Sequence, residues 1–106
     1  MSSYCHLWLS CRDTVEADTV SKTLLNKKLV ACVKQFPISS DFRWQSGIEH
    51  NNEVMLVMDS RVDLFDEVEN EISKLHSYEV YVLQAVPVVR VSKEAEKWLG
   101  KELKNE

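Results

Sequence analysis

The sequence is poor in glycine, with only Gly47 and Gly100, so it has no glycine-rich loop whose backbone N–H groups could wrap a phosphate. The common nucleotide-binding signatures are thereby excluded. Cysteine is also sparse: Cys5, Cys11 and Cys32 are odd in number and widely spaced, with no Cys-x-x-Cys pair. That argues against a disulfide framework and against the four-ligand sets of structural zinc. Basic residues are outnumbered, 13 Lys and Arg against 17 Asp and Glu, and the net charge of -4 repels nucleic-acid backbones. Apolar runs reach strand length only, which excludes membrane insertion by a helix. The opening MSSYCHLWLSCRD lacks a basic start and a small-residue cleavage site, so a cytoplasmic protein with reduced thiols is expected. No spacing of Ser, His and Asp suggests nucleophilic catalysis, and the chain is expected to be non-catalytic and to carry no organic cofactor.

What the sequence does contain is enough apolar residue, 44% of 106, to build the core of one domain over residues 1–106. Its centre of organisation is the stretch from Lys28 to Ser60. Apolar runs Leu29–Val33 and Val54–Met58 bracket a middle with Phe42, Trp44 and Ile48 at alternate positions, which reads as a long β-hairpin. Pro37 places a kink or a sheet edge in the first arm, and Ser46-Gly47 supplies tolerance of positive φ in the second. A hairpin this long overshoots a small domain. Its aromatic surface, together with Trp8 on the second face of the first strand, predicts a contact with another copy of the chain.

The first strand is Tyr4 to Cys11, with Cys5, Leu7, Leu9 and Cys11 on the core face. Asp13 caps a helix, Glu16 completes a capping box, Lys27 and Lys28 suit its negative end, and Ala17, Val20 and Leu24 form its inner stripe. After the hairpin, Ser60 is read as the N-cap of a helix with Leu64, Val68, Ile72 and Leu75 inward. Val80 to Val88 reads as a last strand, Ser92 as the cap of a short helix, and residues 104–106 as a frayed tail.

Strand, helix, strand, strand, helix, strand and terminal helix is the order of an α+β, ferredoxin-like βαββαβ domain with an extended β-hairpin and a C-terminal helix. The reading sets the first strand between the third and fourth, parallel to the third and antiparallel to the fourth. Cys11 and His76 should then converge, with Asp59 and Asp13 at the same edge. A thiolate, an imidazole and a carboxylate there would suit copper or zinc. Cys5 and Cys32 read as small core hydrophobes, and His50 as solvated surface.

The same residues resemble the CutA-like divalent-cation tolerance proteins from about Leu9 to Trp98. Lys28–Val33 is similar to that family's K-L-A-A-C-V, Phe42 through Glu49 to its Y-x-W-E-G-K-I-E hairpin, and His76–Val80 to its H-P-Y-E-V. Glu53-Val54, Ala85–Val88 and Trp98-Leu99 also match. The resemblance implies a homotrimer of ferredoxin-like subunits, with Trp8, Phe42, Trp44 and Ile48 at the trimer interface, and a role in tolerance of copper and other divalent metal ions. It puts Cys11 where members can have a copper-associated cysteine and His76 at the motif histidine. Ser77 replaces the motif's proline, Tyr81-Val82 its Pro-Glu, and Leu75 a second histidine of some members. Tyr78 and Glu79 remain as polar groups at the same cleft, which leaves room for a small polar ligand. The alternatives are a regulatory trimer of the PII type that binds a small effector, on fold analogy, and a structural assembly unit serving a protein partner that the sequence does not name.

Overall fold

The computed structural model describes residues 3–105. The elements in chain order are β1 (Tyr4–Cys11), α1 (Thr14–Asn26), β2 (Cys32–Trp44), β3 (Gly47–Arg61), a 3₁₀ turn (Val62–Leu64), α2 (Phe65–Ser73), β4 (Leu83–Pro87) and α3 (Lys93–Glu102). The four strands form one antiparallel sheet in the order β2-β3-β1-β4. β1 alternates as its sequence does, and Cys5, Leu7, Leu9 and Cys11 are buried on one face. Leu56 and Met58 of β3 lie opposite Leu9 and Leu7. Ala17, Val20 and Leu24 of α1, with Val68 and Ile72 of α2, complete that core.

The first helix is capped as its sequence indicates, whereas Ser92 begins α3 without a side-chain cap bond. Asp13 accepts the Glu16 N–H at 2.9 Å, starting α1 as an N-cap should. At the other end Lys28 takes a left-handed φ of 60°, and the Lys28 and Leu29 amides donate to the Leu25 and Leu24 carbonyls at 3.0 Å. Lys28 thus does the work usually given to glycine in a Schellman cap.

Several expectations are corrected. β3 runs antiparallel to β1, not parallel, so Asp59 pairs with His6 near the start of β1 while Cys11 pairs with Val54. Asp59 consequently leaves the Cys11 edge and bonds to His6 at 3.1 Å and Lys34 at 3.4 Å. Ser60 is not a helix cap but a buried strand residue whose hydroxyl donates to the Leu29 carbonyl at 2.6 Å. The last strand is shorter than expected, Leu83–Pro87, because residues before it are drawn into irregular backbone by bonds described below. Lys104 is not frayed: its N–H donates to Lys28 O at 2.8 Å, and its carbonyl accepts from Arg61 at 2.7 Å. Glu106 lies outside the described residues.

The hairpin is as long as anticipated, and β2, which holds Pro37, is an edge strand. Its turn differs. Gln45 and Ser46 take the positive φ values, 46° and 69°, and Gly47 does not. This two-residue turn pairs Trp44 with Gly47, Arg43 with Ile48 and Phe42 with Glu49. Directly paired residues share a face. Phe42 and Trp44 therefore lie on one face of the ribbon and Ile48 on the other, with Arg43. Since β1 pairs only with residues 54–61 of β3, the ribbon's far half projects beyond the sheet. Trp8, Phe42 and Trp44 remain 36–37% exposed, and Ile48 74%.

Candidate functional site

β1 ends at Cys11 and α1 begins three residues later, so the end of a strand and the start of a helix share one corner. The chain returns to this corner after α2. His76 Nε2 donates to the Ser10 carbonyl at 2.9 Å, and the Tyr78 N–H donates to His76 Nδ1 at 3.1 Å. These two bonds select the tautomer with hydrogen on Nε2. The imidazole is fully enclosed, tilted against Tyr78 at 4.8 Å and stacked on Tyr81 at 5.2 Å.

Glu16 joins the corner from the first turn of α1. Its Oε1 accepts the Arg12 N–H at 2.9 Å and its Oε2 the Ser77 N–H at 2.8 Å, while Oε1 lies 3.7 Å from His76 Nε2. Burial by itself would raise its pKa. The bonds from Arg12 and Ser77, with His76 nearby, outweigh burial and hold the carboxyl below its ordinary range. The carboxylate is thus the clasp that ties the start of α1 to the segment after α2.

Ligand-capable atoms of Cys11, Glu16 and His76 all lie within 4.8 Å of one another. The structure therefore unites Cys11 with His76, as the sequence anticipated, and adds Glu16 in place of Asp59. Sequence reading had seen Glu16 only as part of a capping box. Its oxygen in fact takes the N–H of Arg12, one residue before the cap. The presence of a second free oxygen on that side chain was the available signal.

The Cys11 thiol is held in its protonated form. Burial, then Glu16, Asp13 and Glu53, push its pKa up to about 12, and burial with Asp63 and Asp59 brings Cys5 to about 11. Near neutral pH the Cys11 thiol therefore keeps its proton, and its side chain is fully buried. Titration of the native protein with an aromatic disulfide reagent should consequently find at most one fast thiol, Cys32, which is only partly buried, and three after denaturation. Fast reaction of two or more thiols in the folded state would contradict the closed corner.

Beside the corner is an open cleft of about 720 Å³ between the projecting ribbon and the segment after His76. Tyr78 and Glu79, singled out in the sequence, both line it, and Phe42 and Trp44 form part of its wall. Glu53 was missed except as a family match. It is 7% exposed and accepts the Tyr78 hydroxyl at 2.5 Å. Trp8 lies on the open face of the sheet between Val57 and Gln84.

Known proteins share this fold. The family profile described as CutA1 divalent ion tolerance protein matches residues 5–102. The divalent-cation tolerance protein CutA of Archaeoglobus fulgidus is 37% identical over 93 residues, which are 88% of this chain and 91% of that one. Its counterpart in Pyrococcus horikoshii is 34% identical over 92 residues, 87% of this chain and 90% of its own. The solved structure of the A. fulgidus protein, there called a periplasmic divalent cation tolerance protein, superposes with a TM-score of 0.93 at 34% identity. It covers 95% of this chain and 99% of that one. CutA1 from Oryza sativa, at 20% identity, has the same fold with a TM-score of 0.94, covering 98% of this chain and 96% of its own. Neighbours in sequence and in structure agree, and this chain belongs to the CutA1 divalent ion tolerance protein family.

Proposed function

We propose that the protein is a non-catalytic homotrimer of ferredoxin-like subunits that responds to divalent metal ions, with copper or zinc held at Cys11, Glu16 and His76. The observation that carries the metal reading is the mutual proximity of one sulfur, one imidazole nitrogen and one carboxylate, all within 4.8 Å. Mixed sulfur, nitrogen and oxygen donors favour zinc or copper over magnesium or calcium, which prefer oxygen alone. The residues fit in kind and in spacing. They are not free, however: the thiol carries a proton, and both ring nitrogens and both carboxylate oxygens already have hydrogen bonds. Binding has to displace that proton and some of those bonds, so affinity should be well below that of a closed structural zinc site. Such weak and reversible binding suits a protein that senses or tolerates an ion. A metal here would supply a charge that loosens the contacts joining α1 to the segment after His76.

The trimer reading rests on the aromatic residues left open in one chain and on the family. Three free cysteines agree with a reducing compartment, and the cytoplasm is our assignment. Among the described residues no helix is long and apolar enough to cross a membrane.

Calorimetric titration with zinc and with copper tests the site. Wild type should bind weakly, Cys11→Ala and His76→Ala should abolish the heat, and affinity should rise up to about tenfold per pH unit, since one thiol proton leaves per ion. The sign follows from the raised thiol pKa: over the whole neutral range the free site holds its proton. Absence of heat with both metals, or heat that survives both substitutions, removes the metal assignment.

A further inference from the structure

A neutral imidazole has hydrogen on one nitrogen and an available lone pair on the other. His76 has committed both. Its Nε2–H donates to the Ser10 carbonyl at 2.9 Å, and its Nδ1 lone pair accepts the Tyr78 N–H at 3.1 Å. Ligation consumes a lone pair, so the Tyr78 N–H loses its acceptor whichever nitrogen is used. If Nδ1 ligates, the lone pair is taken directly. If Nε2 ligates, the neutral ring carries its hydrogen on Nδ1 instead, and two donors then face each other. Nε2 is the nitrogen that lies 3.7 Å from Glu16 Oε1. No rotation of the ring restores the lost bond, because a ligating neutral imidazole has no second acceptor.

The loss is not confined to the corner, because Tyr78 is held at both ends. Its N–H is on His76, and its hydroxyl donates to Glu53 Oε2 at 2.5 Å. Residues 76–82 belong to no helix or strand, so no ladder of backbone bonds fixes Tyr78 once its amide is released. A partly buried amide without an acceptor is costly, and the segment that carries it moves until the amide is satisfied again. Glu53, at the other end, is 7% exposed. It stands four positions before Val57 in β3, the partner of Trp8, and therefore on the same face of the sheet as Trp8. That is the face on which copies of the chain are expected to meet.

We propose that His76 is a relay: in ligating a metal ion it surrenders the lone pair that holds Tyr78, and Tyr78 releases Glu53, so that occupancy of the corner is signalled on the Trp8 face of the sheet. The relay rests on the metal reading above and adds its regulation. The ring is neutral before and after, so the event is an exchange of hydrogen-bond partners and not an acid–base titration. Such coupling is reciprocal. The bond from Tyr78 to Glu53 opposes ligation, and weakening that bond favours it.

Zinc titration of the full chain, followed by nitrogen-15 NMR of labelled histidine and by amide hydrogen exchange, tests the relay. Without zinc, His76 should show the Nε2–H tautomer. At saturation one ring nitrogen should show ligation, and the Tyr78 amide should lose about tenfold or more of its protection while the amides of β1 keep theirs. Tyr78→Phe deletes the bond to Glu53 and should tighten zinc binding by about tenfold. Glu53→Gln, which weakens the same bond from the other end, should act in the same direction and less. A Tyr78 that only supports the site would give the opposite sign, weaker binding on its removal. No zinc binding, or binding that leaves the His76 nitrogens unchanged, removes the metal reading and the relay together. Ligation at His76 with the Tyr78 amide still protected, or with zinc affinity unchanged or reduced in both variants, overturns the relay alone and leaves the metal reading standing.

Discussion

Glu16→Ala should destabilise the protein by about 3 kcal/mol, a large loss for a residue that contributes almost nothing to the apolar core. Two backbone donors, the Arg12 and Ser77 amides, bond to its two oxygens, and both would lose a charged acceptor at a partly buried corner. A hydrogen bond to a charged group contributes about 1.5–3 kcal/mol, of which water recovers a part at these partly buried donors. Urea unfolding of wild type, Glu16→Ala and Glu16→Gln would measure this, and the glutamine variant should fall between the other two because it retains one acceptor oxygen. Hydrogen exchange gives a second readout: the Ser77 amide should lose protection in Glu16→Ala well before the amides of β1 do. The effect also has a pH signature. Because the folded carboxyl titrates below its ordinary value of 4.5, its stabilisation is complete above that value and is lost as pH falls through the lower folded one. The gap between wild type and Glu16→Ala should accordingly narrow in acid. A variant within about 0.5 kcal/mol of wild type, with Ser77 still protected, would show that the clasp is incidental.

If the protein is the trimer proposed above, Trp8→Glu should convert it to a monomer. Trp8 stands on the sheet face turned away from the core, opposite Val57 of β3 and Gln84 of β4, with Phe36, 41% exposed, on the same face. If that face is where subunits meet, the substitution buries an unpaired carboxylate in each copy. The cost is about 4 kcal/mol per copy, which corresponds to roughly a thousandfold in affinity for each subunit. Light scattering coupled to size exclusion should give three protomer masses for wild type and one for Trp8→Glu, with the fold of the monomer retained by circular dichroism. A wild type that scatters as a monomer, or a Trp8→Glu variant that stays trimeric, would refute the assignment of this face. The contrast residue is Ile48. Its alternate spacing in the sequence sets it with Phe42 and Trp44, but the turn places it on the reverse side of the ribbon from Trp44. Ile48→Glu tests whether the second side of the ribbon is also covered.

These two expectations depend on different physical scales. The clasp at Glu16 is a matter of hydrogen-bond satisfaction within one chain, and it would persist whatever the oligomeric state. The Trp8 face is a matter of apolar area shared between chains. Measuring both separates folding from assembly, which a single thermal melt of an oligomer does not.

The alternation of β1, the cap at Asp13, the apolar stripes of α1 and α2 and the long hairpin were legible in the residues, because strand and helix periods record locally which face turns inward. The union of Cys11 with His76 was legible too, through the expected adjacency of the first and last strands. Only the tertiary structure decided the rest. The direction of β3 against β1 moved Asp59 to His6, and the parity of a two-residue turn put Ile48 behind Trp44. Glu16 and Glu53 became central because remote backbone or side-chain groups, Ser77 and Tyr78, donate to them. A residue's period states which side it faces, but which chain lies across from it is set by packing between segments far apart in sequence, where no local pattern carries the information.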